Sequence, residues 1–269
     1  MQENLKLIDL MIELVDARMP LGSRNPDIDE LGRNKARIII LNKADLADPA
    51  CNRMWADYFK TRGIHTVEVN SKSGSGVRSI QSVVREACKE KIERDRKRGI
   101  LNRPIRAMVA GIPNVGKSTF INAFAGKACT KTGNKPGVTK GKQWIRLNKN
   151  VELLDTPGIL WPKFEDQQVG LHLALIGSIN DDILRMEELA LELIAFLRSR
   201  YAGTLCERFG VEEDGEDYAI LTDLCIRRRC FLKGEEPDLR KASSMLLDEF
   251  RSGKLGRITL EVPEQGAKE

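Results

Sequence analysis

The chain has 269 residues, 41% of them hydrophobic, enough to bury a full core as one large domain or as one domain with a smaller companion. No run of about 18 apolar residues occurs, and the start lacks the basic, apolar and small-residue order of a secretion signal, so a cytoplasmic protein is expected and a membrane role is not. The net charge of +5 is unevenly spread: residues 127–149 hold seven Lys and Arg and no acid, and residues 89–106 hold eight basic against three acidic residues. Such patches attract phosphate backbones, although the second reads equally well as a solvated helix face. The six cysteines (Cys51, Cys88, Cys129, Cys206, Cys225, Cys230) form no C-x-x-C pair, and His65 and His172 are the only histidines. Reduced thiols are therefore expected rather than a zinc site or a disulfide framework.

In chain order, residues 5–16 begin as a helical pattern and end as a largely apolar strand. The strand runs into Asp16-Ala-Arg-Met-Pro20 and Ser23-Arg-Asn-Pro26, a loop at the strand end where open α/β sheets place ligands. A short helix over 27–34 follows. Residues 36–41 form a second buried strand that enters Asn42-Lys-Ala-Asp45. Asp45 can accept from both N1–H and the 2-amino group of guanine, with Asn42 donating and Lys43 packed along the base. Adenine cannot satisfy that carboxylate. Alone, these four residues are a weak signal that an ordinary strand-end loop can also give; beside a phosphate loop in the same chain the signal becomes strong.

Residues 55–62 read as helix and 63–70 as a third strand, in which His65 is structural; Ser71-Lys-Ser-Gly74 follows as a turn. One long charged helix is expected over 77–98, then a linker over 99–104 and a buried strand over 105–110. That strand leads into Gly111-Ile-Pro-Asn-Val-Gly-Lys-Ser-Thr119, which fits the phosphate-loop spacing G-x-x-x-x-G-K-[ST] without a mismatch, with a helix after it. The glycines let successive N–H groups of Asn114, Val115, Gly116, Lys117, Ser118 and Thr119 face phosphate oxygens at a helix N-terminus. Lys117 would reach the β- and γ-phosphates, and the Ser118 hydroxyl would bind Mg²⁺.

Residues 130–139 are rich in turn formers, with Thr139 the expected switch threonine and Thr132 its runner-up. Residues 143–147 and 151–154 read as a strand hairpin around Asn148-Lys-Asn150, ending in Asp155-Thr-Pro-Gly158. Asp155 would orient Mg²⁺, and the Gly158 N–H would sense the γ-phosphate. Beyond 166 the spacing becomes helical over 169–175, 183–201, 220–232 and 239–250. The expected division is a nucleotide domain over 1–164, a helical domain over 165–252 and a poorly ordered tail over 253–269. Arg227-Arg-Arg229 and Lys233 either touch RNA or form solvated surface.

In Ras-like GTPases the phosphate loop comes first and Asn-Lys-x-Asp near the end. Here Asn42–Asp45 and Ser71–Lys72 precede residues 111–119, Thr139 and 155–158, so the order is circularly permuted. With Asp16-Ala-Arg18, Ser23-Arg-Asn25 and Pro136-Gly-Val-Thr139, this order resembles the circularly permuted GTPases of ribosome biogenesis. The resemblance covers nearly the whole chain. It implies a mostly parallel α/β GTPase domain followed by a small all-helical domain. It also implies GTP and GDP as ligands, with Ser71 and Lys72 holding the base from its other side. Lys117, Thr139 and Gly158 would act in catalysis, Ser118, Thr139 and Asp155 on Mg²⁺, and Asn114 on a potassium ion.

The implied work is maturation of the large ribosomal subunit by a monomer that binds its precursor and rRNA, with no membrane partner, and leaves after GTP hydrolysis. Ile159 stands where Ras-like switches carry the glutamine that orients the attacking water, which implies slow turnover until the ribosomal partner is met. Relatives are also expected to carry a Gly-His-Met segment before the first strand, which this sequence does not contain; its absence would impair turnover. The alternative is a nucleotide-gated binding module with little catalysis.

Overall fold

The structure is a computed structural model that describes residues 6–101, 103–126, 143–147, 150–155 and 167–263, the side chains of Leu31, Gln143 and Asp155 apart. Its contacts divide the chain into two compact units, Met1–Lys163 with Thr259–Glu269, and Phe164–Ile258.

The first unit is built on one six-stranded sheet. Its strands are β1 (Leu10–Asp16), β2 (Ala36–Asn42), β3 (His65–Val69), β4 (Ile105–Ala110), β5 (Gln143–Arg146) and β6 (Val151–Asp155). The spatial order is β3-β2-β1-β4-β6-β5, parallel throughout except for the antiparallel β5–β6 hairpin. Every residue of β1 is buried, and β2 is buried from Ile38 to its end. Strands covered on both faces carry near-continuous apolar runs, which is why these segments could be read from the sequence.

The helices of this unit are α1 (Asp27–Leu31), α2 (Pro49–Thr61), α3 (Ile80–Ala87), α4 (Lys89–Lys97) and α5 (Lys117–Ala125). Helix α2 begins cleanly because Asp48 caps it, its carboxylate accepting from the Ala50 N–H at 2.7 Å, and Pro49 opens its first turn. It buries Trp55 and Phe59, stacked 5.7 Å apart, against Val15, Ala17, Ile39 and Leu41 of the sheet region. A second cluster of Ile8, Met11, Ile28, Met108 and Ala110 fills the core beside α1.

Several local expectations are corrected. The described residues ahead of β1, 6–9, form turn and bend rather than helix. The single helix over 77–98 is a short 3₁₀ turn followed by α3 and α4, bent at Cys88 with φ −100° and ψ 12°. Helix α3 buries Ile80 and Val84 and is followed by buried Cys88, whereas α4 buries nothing; the bend lets one half follow the core and the other leave it. The tail is likewise not loose over its described part. Gly253 closes the last helix in the left-handed region (φ 79°), and residues 259–261 pack into the first unit, where the Leu260 N–H donates to Arg18 O at 2.7 Å. Thr259 and Leu260 are buried.

The second unit is all helical among the described residues: α6 (Gln167–Leu175), α7 (Met186–Arg200), α8 (Thr204–Phe209), α9 (Asp217–Arg227) and α10 (Leu239–Ser252), with one 3₁₀ turn before α7. Leu193, Ile194 and Leu197 of α7, Leu221 and Leu224 of α9, and Leu246, Leu247 and Phe250 of α10 form its buried apolar faces. Helix α8 begins where Glu213 accepts from the N–H groups of Gly203, Leu205 and Cys206 at 2.7–2.9 Å. Helix α9 stops at Arg227, short of the expected 232. Arg229 takes φ 53° and Phe231 bridges Pro237, so the chain turns there instead of continuing.

Candidate functional site

The phosphate loop leaves β4, the strand beside the centre of the sheet, and ends in α5. Gly111 and Gly116 are demanded by their surroundings. A Cβ on Gly111 would stand 2.8 Å from Leu14 O; one on Gly116, whose φ is 97°, would stand 2.7 Å from the Asn42 amide nitrogen. The loop therefore turns tightly against β1 and β2, with the N-terminus of α5 and half-buried Lys117, Ser118 and Thr119 at its mouth.

The guanine-type turn reaches the same place from β2. Asn42, buried, donates from its amide to Val115 O at 2.7 Å and accepts from the Ser71 hydroxyl at 2.7 Å and the Ser71 N–H at 3.2 Å. One side chain thus fastens the phosphate loop, the Asn42–Asp45 turn and the Ser71 turn together. Lys43, in the left-handed region (φ 57°), donates from Nζ to Asn114 O at 3.1 Å and pairs with Asp16 at 2.9 Å. Asn114 is left-handed as well, φ 59°. Asp45 is exposed at the tip of the turn closed by the Leu46 N–H to Lys43 O bond. Lys72 is exposed on a turn whose Lys72 and Ser73 N–H groups both donate to Asn70 Oδ1. Between that turn and α5 opens a cleft of about 450 Å³, lined by Ser71, Lys72, Val77, Arg78, Thr119 and Asn122.

Beneath the turn lies an ionic cluster whose partners the sequence does not announce. Asp16, at the end of β1, is fully buried and accepts from Arg18 Nε at 2.9 Å and Nη2 at 2.8 Å, in addition to Lys43. Burial alone would raise its pKa, but the Arg18 and Lys43 charges outweigh that and hold its carboxyl well below the ordinary carboxylate range. Arg18 is itself 1% exposed, so the pair is buried on both sides. Nearby, Arg24 binds buried Glu13 at 3.0 Å and Asp29 at 2.7 Å, and the Asp16 N–H donates to the Ser23 hydroxyl, which fixes the loop between β1 and α1.

The structure thus brings together Asn42, Lys43, Ser71, Asn114, Val115 and Gly116, sets Lys117, Ser118 and Thr119 half-buried at the start of α5, and leaves Asp45 and Lys72 exposed on their turns. Thr139, Thr132, Gly158 and Ile159 lie outside the described residues. Asp155 is placed by its backbone at the C-terminal end of β6, whose neighbour β4 feeds the phosphate loop. Sequence reasoning missed Arg78 and Asn122 in the cleft, which carry no motif, and the mutual pairing of Asp16, Arg18 and Lys43, although it places Asp16 and Arg18 in a ligand-side loop.

A phosphate loop after β4 and a guanine-type turn after β2, at the same edge of one mostly parallel sheet with β1 between them and in permuted chain order, define a circularly permuted P-loop GTPase. The family model for the 50S ribosome-binding GTPase matches residues 106–203. Ribosome biogenesis GTPase A of Bacillus cereus is 48% identical over 264 residues, covering 98% of this chain and 89% of that protein. Among solved structures, GDP-bound TM YlqF matches with a TM-score of 0.70 at 25% identity and 98% coverage of both chains. GNP-bound YlqF from T. maritima matches at 0.68 and 27%, covering 98% of this chain and 96% of that one. The chain belongs to the ribosome biogenesis GTPase A family, and it is a GTPase that binds guanine nucleotide.

Proposed function

We propose that this GTPase matures the large ribosomal subunit, docking on its precursor and rRNA in the GTP form and leaving after hydrolysis. The observation that carries the nucleotide half of this reading is the triple fastening by Asn42, which makes phosphate recognition and base recognition one rigid site. The ribosomal half is supported by the family and by the basic stretches of the sequence.

In this reading the backbone N–H groups of residues 114–119 and the start of α5 hold the phosphates, and Lys117 neutralises charge that develops on the β- and γ-oxygens. Asp45 accepts from the guanine edge, while Lys43 is held flat against the loop by Asp16 and Asn114 O. Ser71 and Lys72 close the base from the other side. The Ser118 hydroxyl and the Asp155 carboxylate, with Thr139, are hard oxygen donors that suit Mg²⁺, and their strand and helix ends adjoin through β4 and β6. When bound, that ion supplies charge stabilisation to the transferring phosphoryl group. Asn114, left-handed within the loop, is the proposed potassium contact, and Gly158 with Thr139 the proposed sensor of the γ-phosphate. Among the described residues no helix is long and apolar enough to cross a membrane; in the proposed role the chain works as a monomer in the cytoplasm.

The test is GTP turnover by the chain alone and with purified large ribosomal subunits, in potassium and in sodium buffer. Strong stimulation by subunits in potassium is expected. Tight GTP binding with no stimulation in either buffer would overturn the hydrolytic role and leave a nucleotide-gated binding module, the reading that Ile159 favours.

A further inference from the structure

Residues 259–261 are the first of the first unit that the chain reaches after the helical unit. Each makes a separate bond there. Thr259 Oγ1 accepts from the Asp48 N–H at 2.9 Å, the Leu260 N–H donates to Arg18 O at 2.7 Å, and Glu261 O accepts from Trp55 Nε1 at 3.0 Å. The Glu261 carboxylate accepts from the Leu21 N–H at 2.8 Å and the Gly22 N–H at 3.0 Å. Gly22 is fitted to this contact, since a Cβ there would stand 2.5 Å from Glu261 Oε1 and 2.1 Å from Met19 Cε.

The partners are not scattered. Asp48 ends the turn that presents Asp45 and caps α2, and Trp55 lies on the inner face of α2. Arg18 grips the Asp16 carboxylate that holds Lys43, while Leu21 and Gly22 belong to the same loop as Arg18. Three consecutive residues therefore tie the turn 43–48 to the loop 16–22, the two supports of the guanine-recognition residues. Nothing in the sequence pattern of GTP sites includes such a segment.

We propose that residues 259–261 are a positioning strap for guanine recognition, with Glu261 and Thr259 holding the Asp45 turn in register with the phosphate loop. The proposal rests on the assignment of Asp45 to the base.

The experiment measures equilibrium binding of GDP and of inosine diphosphate, which lacks the 2-amino group, to the full chain and to Glu261→Ala, Glu261→Gln and Thr259→Val. The wild type should prefer GDP; Glu261→Ala should weaken GDP binding about tenfold and reduce the preference over inosine diphosphate, and Glu261→Gln, which keeps an acceptor oxygen, should recover most of both. Thr259→Val, a near-isosteric change, should act in the same direction and serves if Glu261→Ala does not fold. If the affinities for both nucleotides fall in parallel, or only the melting temperature falls, the strap is a structural anchor and the proposal fails. If the wild type itself binds the two nucleotides equally, the assignment of Asp45 is at fault and both readings fall.

Discussion

At the scale of residues, the Asp16–Arg18–Lys43 cluster decides how firmly the base-recognition turn is held. Asp16→Asn would remove the Asp16 charge from the buried Arg18 guanidinium and from Lys43, the costly way to break a buried pair. A loss of about 3–5 kcal/mol in urea unfolding is expected near neutral pH. The sign of the pH dependence follows from the lowered Asp16 pKa. The ionised form is favoured by the fold, so the stabilisation is present above the ordinary value of 3.8 and is lost as pH falls toward the lower folded value. The gap between wild type and Asp16→Asn should accordingly narrow as unfolding is measured at successively lower pH below about 4. A constant gap would contradict the assignment. Gly116→Ala should cost nucleotide affinity by a separate route, roughly 1–3 kcal/mol in GDP titration, because φ 97° strains any side chain and the added Cβ meets the Asn42 amide. The glycines, Lys117 and Asp45 were legible because their chemistry fixes both type and spacing. The burial and pairing of Asp16 and Arg18 were not, since a ligand-side loop read from the sequence does not say which of its charges face each other.

At the scale of elements, the strands were the most legible features, because a sheet covered on both faces leaves continuous apolar runs such as residues 36–41 and 105–110. Helix ends were less so. Charge periodicity ran unbroken through Cys88, yet the chain bends there because burial stops, and α9 ended early because Arg229 adopts a left-handed conformation that no residue type at that position demanded. Helix α8 was hidden by its brevity and is held at its start by Glu213, a partner several residues downstream. The helical unit depends on apolar faces rather than on motifs. Leu193, wholly buried on α7, is therefore a sensitive position. Leu193→Ala should destabilise that unit by about 2–5 kcal/mol, read as an earlier loss of helical circular dichroism on heating. An unchanged transition would show that α7 is not part of its core.

At the scale of the whole molecule, the permuted order could be read from the sequence because each motif is self-sufficient, and the sheet order β3-β2-β1-β4-β6-β5 sets the motif-bearing strand ends side by side whatever their order in the chain. What could not be read was the return of residues 259–261 into the first unit, since the partners of Thr259 and Glu261 there are backbone N–H groups that every residue but proline carries. The uneven charge belongs to this scale too. If the basic stretches meet rRNA, affinity for large ribosomal subunits should fall by at least about tenfold between roughly 50 and 200 mM salt, as measured by cosedimentation. Salt-independent binding would point to a protein contact instead.

The guanine site remains the hinge of the molecule, and equilibrium binding of GDP and xanthosine diphosphate to wild type and Asp45→Asn tests it most directly. Wild type should bind GDP and discriminate against the xanthine nucleotide, because Asp45 meets N1–H and the 2-amino group; Asp45→Asn should reverse that order. Full GDP affinity retained by Asp45→Asn would contradict the assignment of the Asn42–Asp45 turn to the base.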